Sequence, residues 1–397
     1  MVSADVFHRK AYAGLMADQL LKPSALQAHV RSGVFLSGIR RVGKTTFLRQ
    51  DLVPALEARG ALVIYVDLWA DRTKSPAMLV HDAVRETLLQ LQTPGSRLLQ
   101  RFKAMNLGIA GFAFGFQIES VGAKGGITLA QAFEELVTQV GVDVVLIVDE
   151  VQQATGSEDG HSLLHALKAA RDAVNSKPGM PGHLLFLGTG SHKSLITDMT
   201  TRRSQPFTGA LATPYEVLGR EFVAWQLDRI GAAPGVVLPV VDVAWEGFQT
   251  MGHRPEELLK ALVQLQTAAI PPDQAFPIIC ATLAGAAADA ELRAIDEFGE
   301  LGKAIFARIA AGKEEGVSGL FGAEALAEYT LQTQTPVEAP QVQNLTDKMI
   351  AANLIARPGH GVYTVADPFV RKVWLDRAAL ALASPVHPAG VAPTAKR

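Results

Sequence analysis

A glycine-rich segment near the amino terminus constrains this chain more than any other feature. Residues 38–46 read GIRRVGKTT and match the pattern G-x-x-x-x-G-K-[ST]. An apolar run of branched residues, 34–36, precedes the segment, and an amphipathic stretch follows it with Phe47, Leu48, Leu52 and Leu56. A strand, a glycine loop and a helix in this order turn backbone N–H groups and a helix N-terminus toward an anion. The sequence therefore predicts a phosphate-binding loop.

The residues of this loop have different expected roles. Gly38 and Gly43 allow the backbone to approach a ligand closely. Lys44 is expected between the β- and γ-phosphates of a nucleoside triphosphate, and the Thr45 hydroxyl is expected to bind Mg²⁺. The nucleotide-binding residues predicted from the pattern are Gly38, Arg40, Arg41, Val42, Gly43, Lys44, Thr45 and Thr46.

A second candidate segment supplies two carboxylates. Five apolar residues, 144–148, lead directly into Asp149 and Glu150. Ligands of open α/β sheets bind at the carboxyl ends of the strands, so we expect Asp149 to hold Mg²⁺ together with Thr45. Glu150 is expected to act as the general base that polarises the attacking water. A hydrophobic strand ending in Asp-Glu is common, so this prediction depends on the phosphate-binding loop upstream.

Polar residues near the end of another apolar run, 184–187, are further candidates. Thr189 or Ser191 either hydrogen-bonds the γ-phosphate or the attacking water, or only caps the next helix. Arg202 and Arg203 lie on the loop beyond. They are candidates for an arginine finger that reaches the nucleotide of a neighbouring subunit, although exposed arginines are more often simply solvated.

Composition excludes several classes of protein. A single cysteine, Cys280, excludes an internal disulfide framework, and a hydrophobic content of 48% with 19% charged residues excludes a wholly disordered chain. The first ten residues resemble no signal peptide, and no apolar run reaches the length of a membrane span. We therefore expect a cytoplasmic protein with no membrane partner. The net charge of −2, slightly positive in the first half, permits an anionic ligand without indicating nucleic acid.

The order of apolar patterns predicts the fold class. Four short apolar runs alternate with helical patterns in the first half, which is typical of a parallel sheet with helices on both faces. Helices dominate after residue 213, with helical patterns over 215–230, 255–267, 289–311 and 323–331. Near the end, a helix over 342–354 is followed by strands over 355–358 and 362–365 around a glycine turn, which is the closing half of a winged helix.

Three of these segments resemble a known family. The loop with its "RRVGKT" core, the run "LIVDEVQ" over 146–152 and the strand into "GTGS" resemble the archaeal-type ATPases among the AAA+/STAND P-loop NTPases, over most of residues 30–260. The resemblance implies ATP as the nucleotide. It also implies an α/β P-loop NTPase domain over 1–212, a helical lid over 213–285 and a winged-helix-like domain over 286–380. Residues 381–397 are expected to form a disordered tail.

The resemblance also suggests one more arginine. Gly252-His253-Arg254-Pro255 is similar to the family's sensor 2 turn, which makes Arg254 a candidate for contact with the γ-phosphate. The turn is one residue out of step with the commoner Gly-x-Pro form. Gly209-Ala210 stands where many relatives have Gly-Arg, so the finger of those relatives is either absent here or replaced by Arg202 or Arg203.

The leading hypothesis is a Mg²⁺-dependent ATPase that couples ATP binding and hydrolysis to a conformational or assembly change. One alternative is a nucleotide-gated binding module with slow or absent hydrolysis, whose winged helix acts on DNA. Another is a STAND-type signalling switch. Residues 320–380 are nearly neutral, whereas a DNA-binding face is expected to be basic. A protein partner or self-association is therefore favoured, and DNA stays possible.

Overall fold

The computed structural model describes residues 6–104, 112–191, 193–203, 205–313, 316–359 and 361–383. The chain divides into two units, Met1–Arg229 and Ile230–Arg397. The predicted boundaries at residues 212, 285 and 380 stay predictions. The predicted tail, 381–397, lies outside the described residues from 384 onward.

A five-stranded parallel sheet organises the first unit. The strand order is β2-β3-β4-β1-β5, and every neighbouring pair is parallel. The four strands predicted from the apolar runs are present, and β5 is the strand that sequence reasoning missed. It has only four residues and ends in a proline, so it carries no apolar run, and it lies at the sheet edge where proline is tolerated. The strands are β1 Val34–Ser37, β2 Leu62–Asp67, β3 Val144–Asp149, β4 Leu184–Gly190 and β5 Leu211–Pro214.

Helices cover this sheet. Helix α4, over 76–92, begins where its own residues cap it: Pro76 is its first residue, and the Ser75 hydroxyl accepts a hydrogen bond from the Met78 N–H at 3.3 Å. The helix after the glycine loop is continuous from α2 to α3 through a π-helical turn, Leu48–Leu52. The helices are α1 Lys10–Leu21, α2 Lys44–Phe47, α3 Val53–Glu57, α4 Pro76–Gln92, α5 Arg97–Ala104, α6 Leu129–Val140, α7 Glu158–Ser176, α8 Lys193–Thr201 and α9 Arg220–Gly231.

Two hydrophobic cores lie on opposite faces of the sheet. Leu146 and Val148 of β3 belong to one core, and Val145 and Ile147 belong to the other. All six residues of β3 are buried. A strand buried on both faces needs helices on both sides, which confirms the predicted α/β fold class.

Helices and one hairpin form the second unit. Strands β6 and β7 pair antiparallel between α15 and α16, as predicted for the end of a winged helix. The prediction of one helix over 289–311 is wrong, because the chain breaks between Asp296 and Gly299, where the glycine adopts a φ of 67°. The elements are α10 Val241–Thr250, α11 Pro255–Leu265, α12 Pro272–Asp296, α13 Gly299–Ala311, α14 Ala323–Thr333, α15 Ala339–Ala351, β6 Ile355–Gly359, β7 Val362–Val365 and α16 Pro368–Ala383.

Helix α12 is long and rich in apolar residues. In the part of the chain that the structure describes, it is the one helix long and apolar enough to cross a membrane, judged by length and composition alone. Within the second unit it packs against α10, α11, α13 and α16.

Candidate nucleotide-binding site

The loop between β1 and α2 has the backbone that its glycines predict. The Gly38 N–H donates to the Gly190 carbonyl at 3.1 Å, which joins the loop to the end of β4. Gly43 has a φ of 92° and Arg41 a φ of 66°, both in the left-handed region. A Cβ on Gly38 would lie 3.1 Å from the Cβ of Tyr215, closer than most such contacts. The backbone and its neighbours therefore favour glycine at both Gly38 and Gly43.

Lys44 lies inside this loop. Its side chain is nearly buried, with 6% of the residue exposed, and Nζ donates to the carbonyls of Gly38 at 2.6 Å and Ile39 at 2.8 Å. Burial lowers the pKa of Lys44 from its usual value, while the charges of Glu150 and Asp149 act in the opposite direction. A desolvated ammonium group is stabilised by an anion, so the loop holds a cation where a phosphate would bind.

Asp149 is the centre of the site. It ends β3, is 1% exposed, and its carboxylate accepts hydrogen bonds from Thr45 Oγ1 at 2.6 Å, Tyr65 OH at 2.8 Å and Thr189 Oγ1. The two residues predicted as metal ligands, Thr45 and Asp149, are therefore in direct contact. The Thr189 hydroxyl contacts Asp149, a partner that sequence reasoning did not consider for it.

Glu150 adopts a left-handed conformation, with a φ of 56°. Its carboxylate accepts hydrogen bonds from Gln152 Nε2 and, at 3.3 Å, from Ser191 Oγ. Ser191 Oγ in turn accepts from Gln152 Nε2 at 3.2 Å and from Arg40 Nε at 3.3 Å. A chain of hydrogen bonds thus joins the glycine loop to the predicted general base.

Sequence reasoning missed two residues of this site. Tyr65 lies within β2, where nothing in the pattern distinguishes it from a core residue. Burial and the neighbouring Asp149 raise its pKa, so the phenol stays protonated and donates to the carboxylate. Gln152 carried a signal, since it belongs to the "LIVDEVQ" run, but no role was assigned to it. It is 4% exposed.

The remaining loop residues divide into two groups. Val42 is fully buried in the core on the α1 face of the sheet, so only its backbone is available to a ligand. Arg40, Arg41, Thr45 and Thr46 are exposed.

The other predicted arginines have partners of their own or lie in solvent. Arg202 pairs with Asp198 at 3.1 Å, and Arg203 is exposed. Arg254, in the second unit, is buried and pairs with Asp367 at 2.6 Å, with its guanidinium 4.7 Å from the Phe369 ring. Contact of any of these arginines with a nucleotide stays a prediction.

The donor set suits Mg²⁺ bound together with a nucleotide. Within the described ranges no group of three or more His, Cys, Asp and Glu side chains could hold a metal ion by itself. Thr45 and Asp149 offer hard oxygen atoms, and Mg²⁺ is usually bound by one or two such protein groups together with phosphates and water. Lys44 supplies the cation that a triphosphate needs beside them. These residues therefore fit Mg²⁺ and ATP.

Comparison with solved structures identifies the fold. The ADP form of the ORC2 protein of Aeropyrum pernix is similar with a TM-score of 0.52 and 13% sequence identity, over 97% of each chain. A structure of ORC2 described as ADPNP-ADP complexes has a TM-score of 0.48 at 14% identity, over 96% of each chain. The A. pernix ORC1 protein in complex with DNA has a TM-score of 0.41 at 15% identity, over 96% of this chain and 95% of that one.

No protein-family model matches the sequence, and a search of curated proteins gives no match. The similarity to the ADP form of ORC2, at 13% identity, shows a shared fold and nothing finer. The chain therefore has an AAA+-like fold, with a parallel sheet covered by helices on both faces. This finding confirms the fold class predicted from the sequence, and it confirms the family resemblance at the level of the fold.

Proposed function

We propose that this chain, which has an AAA+-like fold, binds ATP with Mg²⁺ in the loop of residues 38–46 and hydrolyses it. One observation carries the proposal. Lys44, Thr45 and Asp149 come from two segments about 100 residues apart in sequence and meet at the carboxyl edge of one sheet, with Thr45 and Asp149 at 2.6 Å. The ADP form of the ORC2 protein, which shares the fold, supports a nucleotide ligand.

Each residue has a chemical task in this proposal. Lys44 exchanges its bonds to the loop carbonyls for bonds to phosphate oxygens, and Thr45 and Asp149 hold Mg²⁺. When bound, Mg²⁺ neutralises charge that develops on the phosphates. Glu150 accepts a proton from the attacking water. Thr189 and Tyr65 donate to Asp149 and so hold the carboxylate that would bind the metal beside Thr45.

A second function is favoured by one contact in the site. The Glu150 carboxylate already accepts hydrogen bonds from Gln152 and Ser191, which lowers its availability to a water molecule. This arrangement suits a slow cycle, in which bound ATP rather than its hydrolysis sets the conformation or assembly of the chain. The chain would then act as a nucleotide-gated binding module or a STAND-type switch in the cytoplasm.

Phosphate release and ATP binding by the purified chain test both functions. We expect Mg²⁺-dependent release of phosphate from ATP and loss of both binding and release in Lys44→Ala. Lys22→Ala, which removes an exposed lysine after α1, is the matched control and is expected to behave as the wild type. Binding without release would favour the second function. No binding of ATP to a folded wild-type chain would refute both.

The partner is a separate question. Either DNA or a protein, including a second copy of this chain, fits an ATP-dependent change of conformation. Duplex DNA binding measured at two salt concentrations distinguishes them, because contacts with phosphates weaken steeply as salt rises. Affinity that is absent or independent of salt would exclude DNA, and the mass of the chain with and without ATP then tests self-association.

A further inference from the structure

The side chain of Arg40 is held in place although it is exposed. Its Nε donates to Ser191 Oγ at 3.3 Å, and its Cζ lies 4.8 Å from the centre of the Trp69 ring. Ser191 follows β4 and Trp69 follows β2, so the guanidinium is fixed over the carboxyl edge of the sheet. Stacking on an aromatic ring restricts a long side chain that otherwise has many rotamers.

The two Nη groups of Arg40 have no hydrogen-bond partner, and no carboxylate pairs with this arginine, in the part of the chain that the structure describes. Two of the arginines predicted for the finger and for sensor 2, Arg202 and Arg254, differ in this respect. Arg202 pairs with Asp198, and Arg254 pairs with Asp367. Arg40 therefore presents a fixed cation whose planar donors are available to an anion.

Two neighbours show which anion would fit. Lys44 lies in the same loop, and the carbonyls of Gly38 and Ile39 hold its buried ammonium group at 2.6 and 2.8 Å. Ser191, the partner of Arg40, donates to the carboxylate of Glu150 at 3.3 Å. An anion bound in the loop next to Glu150 could accept hydrogen bonds from both cations, Arg40 and Lys44. In the proposed ATP hydrolysis, the γ-phosphate of a nucleotide bound in the loop would lie next to Glu150 in this way.

We propose that Arg40 is a catalytic residue that acts within its own chain, stabilising the negative charge on the phosphoryl group transferred from ATP to water. The proposal rests on the proposed ATPase function. In the reaction, a bond forms between the water oxygen and the γ-phosphorus, and the bond from that phosphorus to the β,γ-bridging oxygen breaks. The water proton passes to Glu150 and then to solvent, leaving ADP and phosphate. Ser191 and Trp69 position the guanidinium, and no arginine from a neighbouring subunit is required.

Steady-state ATP hydrolysis by Arg40→Ala and Arg40→Lys tests the role of the charge. Arginines that stabilise phosphoryl transfer contribute 10³-fold or more, so we expect kcat of Arg40→Ala to fall by about 10³-fold. KM should change by less than about fivefold, because the interaction is made mainly in the transition state. Arg40→Lys keeps the charge without the planar donors and should lose less than Arg40→Ala.

Arg72 provides a matched control. Its Cζ lies 5.0 Å from the same Trp69 ring, and it is also exposed. Arg72→Ala therefore removes an equal charge from the same neighbourhood, and we expect kcat within about threefold of the wild type. An equal fall in kcat for Arg40→Ala and Arg72→Ala would overturn the proposal. The loss of a nearby positive charge, and not of a direct contact with the phosphoryl group, would then explain both results.

Mixing two inactive variants tests whether Arg40 acts within its own chain. Lys44→Ala keeps Arg40 and cannot hold ATP, whereas Arg40→Ala holds ATP and lacks the arginine. We expect no recovery of hydrolysis in the mixture, and a wild-type turnover per chain that is independent of protein concentration. Recovery of activity would show that the arginine acts on a neighbouring subunit and would overturn the proposal.

Binding of ADP with and without aluminium fluoride distinguishes loss of the Arg40 contact from damage to the fold, because a damaged fold would also weaken the binding of ADP alone. Arg40→Ala is expected to bind ADP as the wild type does and to lose the added affinity that aluminium fluoride confers, since that ion imitates the transferred phosphoryl group. Unchanged aluminium fluoride binding would refute the inference. A wild type that binds ATP without turnover refutes the ATPase itself, whereas an active wild type with an equally active Arg40→Ala refutes only the role of Arg40.

Discussion

Replacing Glu150 with glutamine removes one chemical property from the site and leaves its packing filled. The carboxylate accepts hydrogen bonds from Gln152 Nε2 and Ser191 Oγ. A glutamine side chain has the same length, and its Oε1 can accept both of these bonds. The side chain of Gln152 therefore keeps its partner. We expect the free energy of unfolding of Glu150→Gln to stay within about 1 kcal/mol of the wild type.

The expected loss of activity follows from the role of Glu150. An amide cannot take a proton from water at neutral pH, and a positioned general base contributes about 10²- to 10⁴-fold to a rate. The barrier to hydrolysis should therefore rise by about 3 to 5 kcal/mol. Lys44, Thr45 and Asp149 are unchanged, so the affinity for ATP with Mg²⁺ should be retained. The variant is expected to hold ATP without hydrolysing it.

Phosphate release in a single turnover, together with ATP binding at equilibrium, measures these two effects separately. Glu119→Gln, which neutralises an exposed glutamate distant in sequence from the site segments, is the control and should match the wild type in both assays. A kcat for Glu150→Gln within about threefold of the wild type would refute the assignment of Glu150 as base. Loss of ATP binding in parallel with hydrolysis would instead assign Glu150 to holding the nucleotide or the metal.

Three further predictions concern stability. Burial lowers the pKa of Lys44 below the usual 10.5, so between the folded-state and unfolded-state pKa values the folded chain without nucleotide binds fewer protons than the unfolded chain. The free energy of unfolding should therefore rise as the pH increases from the lower of these pKa values to the higher. Urea titrations at a series of pH values measure this rise, and Lys44→Met should abolish it. Arg254→Ala removes the charged partner of the buried Asp367, whose carboxylate then keeps only the hydrogen bond from the Phe369 N–H. The free energy of unfolding should fall by about 3 to 5 kcal/mol in denaturant titrations, with partial recovery when Asp367 is also replaced by leucine. In Gly190→Ala the new Cβ would lie 2.3 Å from Gln152 Oε1, so thermal unfolding should show a loss of about 1 to 3 kcal/mol; an unchanged melting temperature would contradict this packing.

Local pattern was sufficient for elements whose own residues define them. The start of α4 follows from Ser75 and Pro76, which cap the helix and form its first turn. Strand β3 follows from consecutive apolar residues that only a sheet covered on both faces can bury. The local sequence pattern failed to predict elements that depend on a neighbouring strand or on a single residue within a longer run. Strand β5 is short and half exposed, and it exists because β1 offers an unpaired edge to it. The break between α12 and α13 depends on one glycine within an otherwise helical run.

The sequence by itself determined the glycine loop, its flanking strand and helix, and the two acids at the end of another strand, because each depends on residues adjacent in the chain. Only the tertiary structure decided what surrounds Asp149 and Glu150. Tyr65 reaches Asp149 from 84 residues away and Thr189 from 40, and Ser191 joins Arg40 to Glu150 across β1, β3 and β4. The reason is physical: the order of parallel strands sets which strand ends are neighbours, and that order depends on crossover connections whose path no local pattern records.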